Sequence, residues 1–208
     1  MNSRKHIGLV DDDRAFLRAL QRLLMAAGYE VQTWSSAVDF FDRAVVDWPD
    51  CLVIDMDMPV MSGLEFQKRV AEMAPGLPVV FLTGKGDIPL TVQAMQLGAV
   101  NFLTKPVAED ELFPVIDAAL ETARRNYDQR ARAAKAREGY NRLTTREKEV
   151  FTHLITGKLN KQIAGDLGTS EQTIKVHRMR VLEKMGVRSL PELVYLATLL
   201  AIEPADAS

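Results

Sequence analysis

The chain has 208 residues, a formal net charge of −2, 47% hydrophobic and 26% charged residues, a balance that excludes a chain disordered throughout or a collagen-like one and allows one large domain or two modest ones. Its longest apolar runs, such as 79–82 and 196–202, fall far short of the roughly 20 residues a bilayer demands, and the short apolar-leaning run 6–10, ended by three aspartates, cannot act as a signal-peptide core. A single cysteine, Cys51, excludes an internal disulfide or a cysteine-based metal site, so a cytoplasmic protein with Cys51 in its core is expected.

From the N-terminus, short β-branched runs alternate with amphipathic stretches. A strand at 7–10 precedes a helix at 14–27, 30–34 precedes 37–46, 51–54 precedes 64–73, 79–82 precedes 90–97, and 100–103 precedes a long helix beginning near Glu109. Five strand-then-helix units predict an α/β domain over residues 1–123, with a doubly wound parallel sheet and helices on both faces. Gly28, Gly76 and Gly98 stand where helices should stop, and Pro49 and Pro78 just before strands, so the punctuation agrees with the periodicity. Residues 124–141 are rich in Ala, Arg and Lys and lack Pro, which predicts a helical linker ended by Gly139. With no sustained heptad it is open to two readings, a solvated spacer or a dimer-forming helix. Residues 142–208 read as four short helices without a strand, the last from about 190 to 201. Thr144 with Glu147 forms a capping box, and Asn160 and Ser170 are candidate caps for the next two helices.

Charge divides along the same line. Up to Ala123 there are 10 Lys+Arg against 18 Asp+Glu, a balance of −8; beyond it 16 against 10, a balance of +6. An acidic module joined to one that meets polyanions is a reading the motifs must decide.

In the acidic part, Asp11, Asp12 and Asp13 follow the first strand, Asp55 the third, Thr83 the fourth, and Lys105 the fifth. In a doubly wound sheet of order 2-1-3-4-5 ligands bind outside the carboxyl ends of the strands, where the first and third lie side by side, so Asp11, Asp12 and Asp55 should converge. Three adjacent carboxylates repel one another unless a cation neutralises them. Hard oxygen ligands without His or Cys select Mg²⁺, which accepts one or two carboxylates plus a phosphate oxygen. Lys105 adds a fixed positive charge and Thr83 a hydroxyl for a phosphoryl oxygen. A carboxylate can itself be the nucleophile that becomes an aspartyl phosphate, and Asp55, on the central strand, is the candidate. Asp13 reads instead as the cap of the helix that starts at Arg14. Asp57 could mark the Asp-x-Asp motif of haloacid-dehalogenase phosphatases, but that motif follows a first strand and wants Thr or Val where Pro59 stands.

In the basic part, residues 161–178 combine a short helix, a Gly-containing turn and a second helix, the punctuation of a helix-turn-helix. Ile163, Ala164 and Leu167 supply one apolar face, and Ile174, Val181 and Met185 the other. Thr173, Lys175, Val176, Met179 and Arg180 are left outward, with Arg178 and Lys184 alongside, to meet phosphates and base edges in a major groove. His177 is expected half-buried with a hydrogen bond.

Val10-Asp11-Asp12, Asp55-x-x-Met58-Pro59 with Gly63, Thr83-Gly84 and Lys105-Pro106 resemble the CheY-like receiver domain of bacterial two-component response regulators, and the run from Thr83 to Ala99 is similar to the FixJ branch. The resemblance implies phosphoryl transfer to Asp55 from a phosphohistidine on a sensor histidine kinase. It also implies Mg²⁺ held by Asp12, Asp55 and the backbone carbonyl of Asp57, with Asp11 assisting. Thr83 and Phe102 match the switch positions; read without the family, Phe102 is ordinary core. The stretch from Leu143 to Leu193 resembles the LuxR-type DNA-binding domain, which implies base-facing positions for Lys175, Val176 and Met179, phosphate contacts for Lys161 and Arg178, and a last helix that pairs two such domains. Met179 departs from relatives with lysine there. Together these imply a NarL/FixJ-type transcription factor that is phosphorylated, dimerises and binds promoter DNA, with RNA polymerase as a further partner and no enzymatic activity beyond slow self-dephosphorylation. A phosphorylation-independent regulator and a phosphohydrolase are the competing readings.

Overall fold

The computed structural model describes residues 5–42, 48–84 and 88–205. The chain folds into two compact units, Met1–Tyr127 and Asp128–Ser208. The first contains β1 (His6–Val10), α1 (Arg14–Ala26), β2 (Glu30–Trp34), α2 (Ala37–Asp42), β3 (Cys51–Asp55), α3 (Gly63–Met73), β4 (Val79–Thr83), α4 (Ile88–Gln96), β5 (Asn101–Thr104) and the start of α5 (Glu109–Asn141). Residues 43–46 of the predicted second helix lie outside the described residues, as do 85–87 of the FixJ-like run.

All five strands are parallel, in the order β2-β1-β3-β4-β5. Central β3 and β4 are buried at every position, which is why they read as continuous apolar runs, whereas edge strand β2 alternates exposed and half-buried residues. Successive side chains feed opposite faces. Ile7, Leu9, Cys51, Val53, Val80 and Leu82 pack on Leu17, Leu20 and Leu24 of α1 and Leu112 and Ile116 of α5. On the other face Val10, Leu52, Ile54 and Phe81 meet Trp34, Phe40, Phe66 and Ala94. Each such large side chain contributes about 1.5–3 kcal/mol through burial, and with helices on both faces polar residues are left to the ends of the strands. Gly28 and Gly98 follow the ends of α1 and α4 with positive φ, as expected, whereas α3 is capped by Ala74 and Gly76, also at positive φ, lies in the turn beyond it.

The second unit holds the last turns of α5 with α6 (Thr145–Leu154), α7 (Asn160–Asp166), α8 (Glu171–Met185) and α9 (Leu190–Leu199). Its core is Ala136, Val150, Phe151, Leu154, Ile163, Ile174, Val181, Met185, Leu193 and Ala197. Thr144 and Glu147 make the predicted capping box and Ser170 Oγ accepts from the Thr173 N–H at 3.1 Å. Two expectations are corrected. Gly139 does not end the linker helix, which continues to Asn141; a Cβ at Gly139 would stand 2.8 Å from the Lys184 carbonyl oxygen and 3.3 Å from Met185 Cα. The glycine is there for close helix packing rather than for termination, and a tertiary contact overrides its low helix propensity. Asn160 is not a cap but the first helical residue. Leu159 holds the cap position without a side-chain acceptor, and its own N–H donates to Gln162 Oε1 at 2.8 Å, so the glutamine satisfies the cap residue's donor and no side chain at the cap accepts from the first turn. Among the described residues no helix is long and apolar enough to cross a membrane.

Candidate functional site

The register of the sheet sets the geometry of the acidic site. Val10 pairs with Ile54, Asp55 with Leu82 and Thr83 with Thr104, so the residues that end β1, β3, β4 and β5 emerge side by side at one edge. Carboxylate oxygens of Asp11, Asp12 and Asp55 lie within 4.8 Å of one another. Asp11 and Asp55 are buried and Asp12 is exposed, so the cluster opens to solvent on one side. Lys105 Nζ reaches over it, 2.6 Å from Asp11 Oδ2 and 3.2 Å from Asp55 Oδ1. The convergence expected of the three aspartates is present, with Lys105 at the same edge.

One cation therefore faces three carboxylates. Burial, followed by the neighbouring Asp11 charge, pushes the Asp55 carboxyl above its ordinary range, while Lys105 and a hydrogen bond from the Asp57 backbone N–H pull the other way. For Lys105, burial opposes the ammonium charge, but hydrogen bonds and attraction from Asp11 and Asp55 overcome it and raise its pKa. A site whose anions outnumber its cations, with one carboxylate held against its preferred ionisation, accepts a further cation. The all-oxygen donor set, partly open to water, fits a hard divalent ion such as Mg²⁺.

The remaining predicted residues surround this cluster. Asp13 caps α1, its Oδ1 accepting from the N–H groups of Ala15 and Phe16 at 2.8 and 3.1 Å, which takes it out of the metal cluster as expected. Asp57 is exposed, and its Oδ2 accepts from the buried Thr83 hydroxyl at 3.5 Å, the long limit of a hydrogen bond. Phe102 is half-buried in β5 opposite Phe81 and packs on the core face that carries α2, α3 and α4, away from the carboxylates. Gly63 opens α3 where a Cβ would stand 2.9 Å from both the Asp55 carbonyl oxygen and Phe81 Cε1, so only glycine lets that helix begin hard against the end of β3.

Sequence reasoning missed Phe16, whose ring lies 4.5 Å beneath Lys105 Nζ and helps aim the ammonium. Its one available signal is its place in the first turn of the helix that follows the aspartates. Val60 was also missed: it is 93% exposed with φ 74° in the loop leaving Asp55, a conformation strained for a β-branched residue.

In the basic unit, α8 buries Ile174, Val181 and Met185, as expected. Lys175, Met179 and Arg180 are exposed, Thr173, Val176 and Arg178 half-buried, and Lys161 exposed on α7. Two details differ from expectation. Lys184 is not beside the outward face; it donates to Glu147 Oε2 at 2.6 Å, because Glu147, buried by its role in the α6 cap, would otherwise be an uncompensated anion. His177 is half-buried as expected, but its Nδ1 has no hydrogen-bond partner.

Comparison with known proteins agrees with both halves. Residues 7–117 match the response regulator receiver domain family and residues 141–197 the LuxR family of bacterial regulatory proteins. The response regulator protein TodT of Pseudomonas putida is 41% identical over 188 residues, covering 90% of this chain and 83% of that one. The transcriptional regulatory protein FixJ of Azorhizobium caulinodans is 39% identical over 203 residues, covering 96% and 95%. A low-resolution structure of the response regulator StyR aligns with TM-score 0.78 and 40% identity, covering 94% of this chain and 99% of that one.

A receiver domain followed by a LuxR-type DNA-binding domain defines the class, a response regulator with the makeup of a transcription regulator rather than an enzyme. Within that class, the chain belongs to the NarL/FixJ family. Regulators of this kind partner with sensor histidine kinases and DNA, and receiver domains generally bind Mg²⁺ at the acidic pocket.

Proposed function

We propose that Asp55 accepts a phosphoryl group from a phosphohistidine on a sensor histidine kinase, and that the modified chain dimerises and binds promoter DNA. We assign residues 1–123 to the receiver, 124–141 to a helical link and 142–208 to the DNA-binding domain. The observation that carries this reading is the gathering of Asp11, Asp12 and Asp55 within 4.8 Å beneath a single lysine.

An Asp55 carboxylate oxygen attacks phosphorus, the P–N bond to the kinase histidine breaks, and its electron pair stays on the imidazole nitrogen, which takes up a proton. Lys105 holds a positive charge beside the oxygens on which negative charge grows, already in place before transfer. Asp12, Asp55 and the Asp57 backbone carbonyl would hold Mg²⁺, with Asp11 assisting, and that ion supplies further charge neutralisation to the phosphoryl oxygens. Thr83, whose hydroxyl faces Asp57 at the end of the neighbouring strand, hydrogen-bonds the phosphoryl group once it is present, and Phe102 repacks with it. The two arrangements of this edge differ in stability with and without the phosphoryl group, which is how a local charge shifts a population. Hydrolysis at Asp55 is slow, so the chain is a phosphoryl acceptor and not a turnover enzyme. Lys161, Thr173, Lys175, Val176, Arg178, Met179 and Arg180 form the DNA-contacting set. On this reading the protein acts in the cytoplasm, with RNA polymerase as a further partner.

Incubation of the full chain with radiolabelled acetyl phosphate and Mg²⁺ tests the acceptor. Stoichiometric labelling of the wild type and none of Asp55→Asn is expected; equal labelling of both removes the assignment. Turnover beyond one equivalent would identify a phosphohydrolase, and promoter binding indifferent to phosphorylation would identify the regulator that works without it.

A further inference from the structure

Met179 is 60% exposed on α8. Single exposed apolar residues on a protein surface are ordinary, so its position is what gives it meaning. Five residues on from buried Ile174, it stands about 140° around the helix from the core-facing direction. Lys175 and Val176 precede it by four and three residues and share its face, and Arg178 and Arg180 flank it. The surrounding half of the chain carries the +6 balance. An uncharged thioether thus sits on the outward face of the helix assigned to the major groove, one turn from Lys175, which pairs with Glu171 at 3.5 Å, and one turn from Glu183, with the two arginines at its sides.

A side chain at that place approaches base edges, and the chemistry of methionine narrows what it can meet. It has no hydrogen to donate, and its sulfur is a weak acceptor. Guanine N7 and O6 want donors, adenine N6 and cytosine N4 want a strong acceptor, and each of these would be desolvated without compensation against a thioether. The one apolar group in the major groove is the C5-methyl of thymine. Methionine, unbranched and polarisable, adapts to such a small apolar knob, and half-buried Val176 one turn away extends the apolar floor.

We infer that Met179 is a specificity-determining residue that packs on a thymine methyl, so that the bound DNA carries an A·T pair at the position this side chain faces in each half-site. The inference rests on the proposed DNA-binding role of α8 and deepens it from groove occupancy to a particular base.

The test uses the full-length chain and a duplex selected by it from a random-sequence pool. Each thymine of that duplex is replaced in turn by deoxyuridine, which removes only the methyl group, and affinity is measured at fixed salt for wild type, Met179→Ala and Met179→Leu. For the wild type, one thymine per half-site should show a loss of roughly fourfold on replacement, the worth of one buried methyl. Met179→Ala should be indifferent to that replacement, while Met179→Leu retains most of the sensitivity. If the selected duplex binds with the usual salt dependence but wild type and Met179→Ala respond identically to every replacement, the Met179 assignment falls while the DNA-binding role stands. A folded chain that enriches no sequence and binds no duplex overturns both.

Discussion

Two lysines in this protein sit 2.6 Å from a buried carboxylate, and they do different things. In the helical unit the one ion-pair partner of Lys184 among the described residues is Glu147. The carboxylate also caps α6 by accepting from the Thr144 N–H at 2.8 Å, and the Lys184 hydrogen bond holds its pKa below the ordinary 4.5 although burial opposes this. Charge there is balanced one to one. At the sheet edge Lys105 is divided between Asp11 at 2.6 Å and Asp55 at 3.2 Å with Asp12 close by, and Asp55, the more distant partner, is displaced upward instead of downward. A short lysine–carboxylate contact alone therefore says little about role. The ratio of anions to cations, and the direction in which the carboxylate is pushed, separate an ion pair that holds a fold together from one that leaves a site short of positive charge.

The largest expected effect lies on the structural side. Glu147→Ala removes a buried ion pair and half of a capping box, and should cost about 3 kcal/mol, read as a lower urea midpoint for the helical unit. Binding of Mg²⁺ should be unaffected. On the other side, Lys105→Met removes the only cation that bridges Asp11 and Asp55 among the described residues. It should cost about 1–2 kcal/mol without divalent ions, and the deficit should narrow when Mg²⁺ is added. An equal deficit with and without Mg²⁺ would erase the distinction between the two lysines.

The smallest effect is in pH dependence, where the two carboxylates should have opposite signs. Glu147, depressed in the folded state, contributes stability that is complete above about pH 4.5 and is lost as pH falls through its lower folded value. The stability gap between wild type and Glu147→Gln should therefore close on acidification below 4.5. Asp55, raised above 3.8 in the folded state, is a carboxylate that the metal-free fold disfavours once ionised. Asp55→Asn should be at least as stable as wild type above that raised pKa, with the advantage shrinking as pH falls toward 3.8. Urea titrations of the three proteins between about pH 3 and 6 would show both trends.

The contrast also explains what could be read from residues alone. The parallel sheet was legible because β3 and β4 are unbroken apolar runs, and the acidic site was legible because Asp11, Asp12, Asp55, Thr83 and Lys105 each stand directly after a strand, where topology rather than packing determines position. Tertiary contacts were not legible. Gly139 carries a local stop signal that the approach of Lys184 and Met185 overrides. Lys184 looked like one more cation near a basic face, because its partner lies 37 residues away in sequence. Phe16 is an ordinary α1 residue until Lys105, brought in from the far end of the sheet, settles over its ring.

Calorimetric titration of the full chain with Mg²⁺ addresses the charge deficit most directly. Wild type and Glu147→Gln should each bind one ion, whereas Asp12→Asn, which leaves Lys105 and Asp55 in place, should bind at least about tenfold more weakly. Binding that is absent from the wild type, or unchanged by Asp12→Asn, would contradict the account.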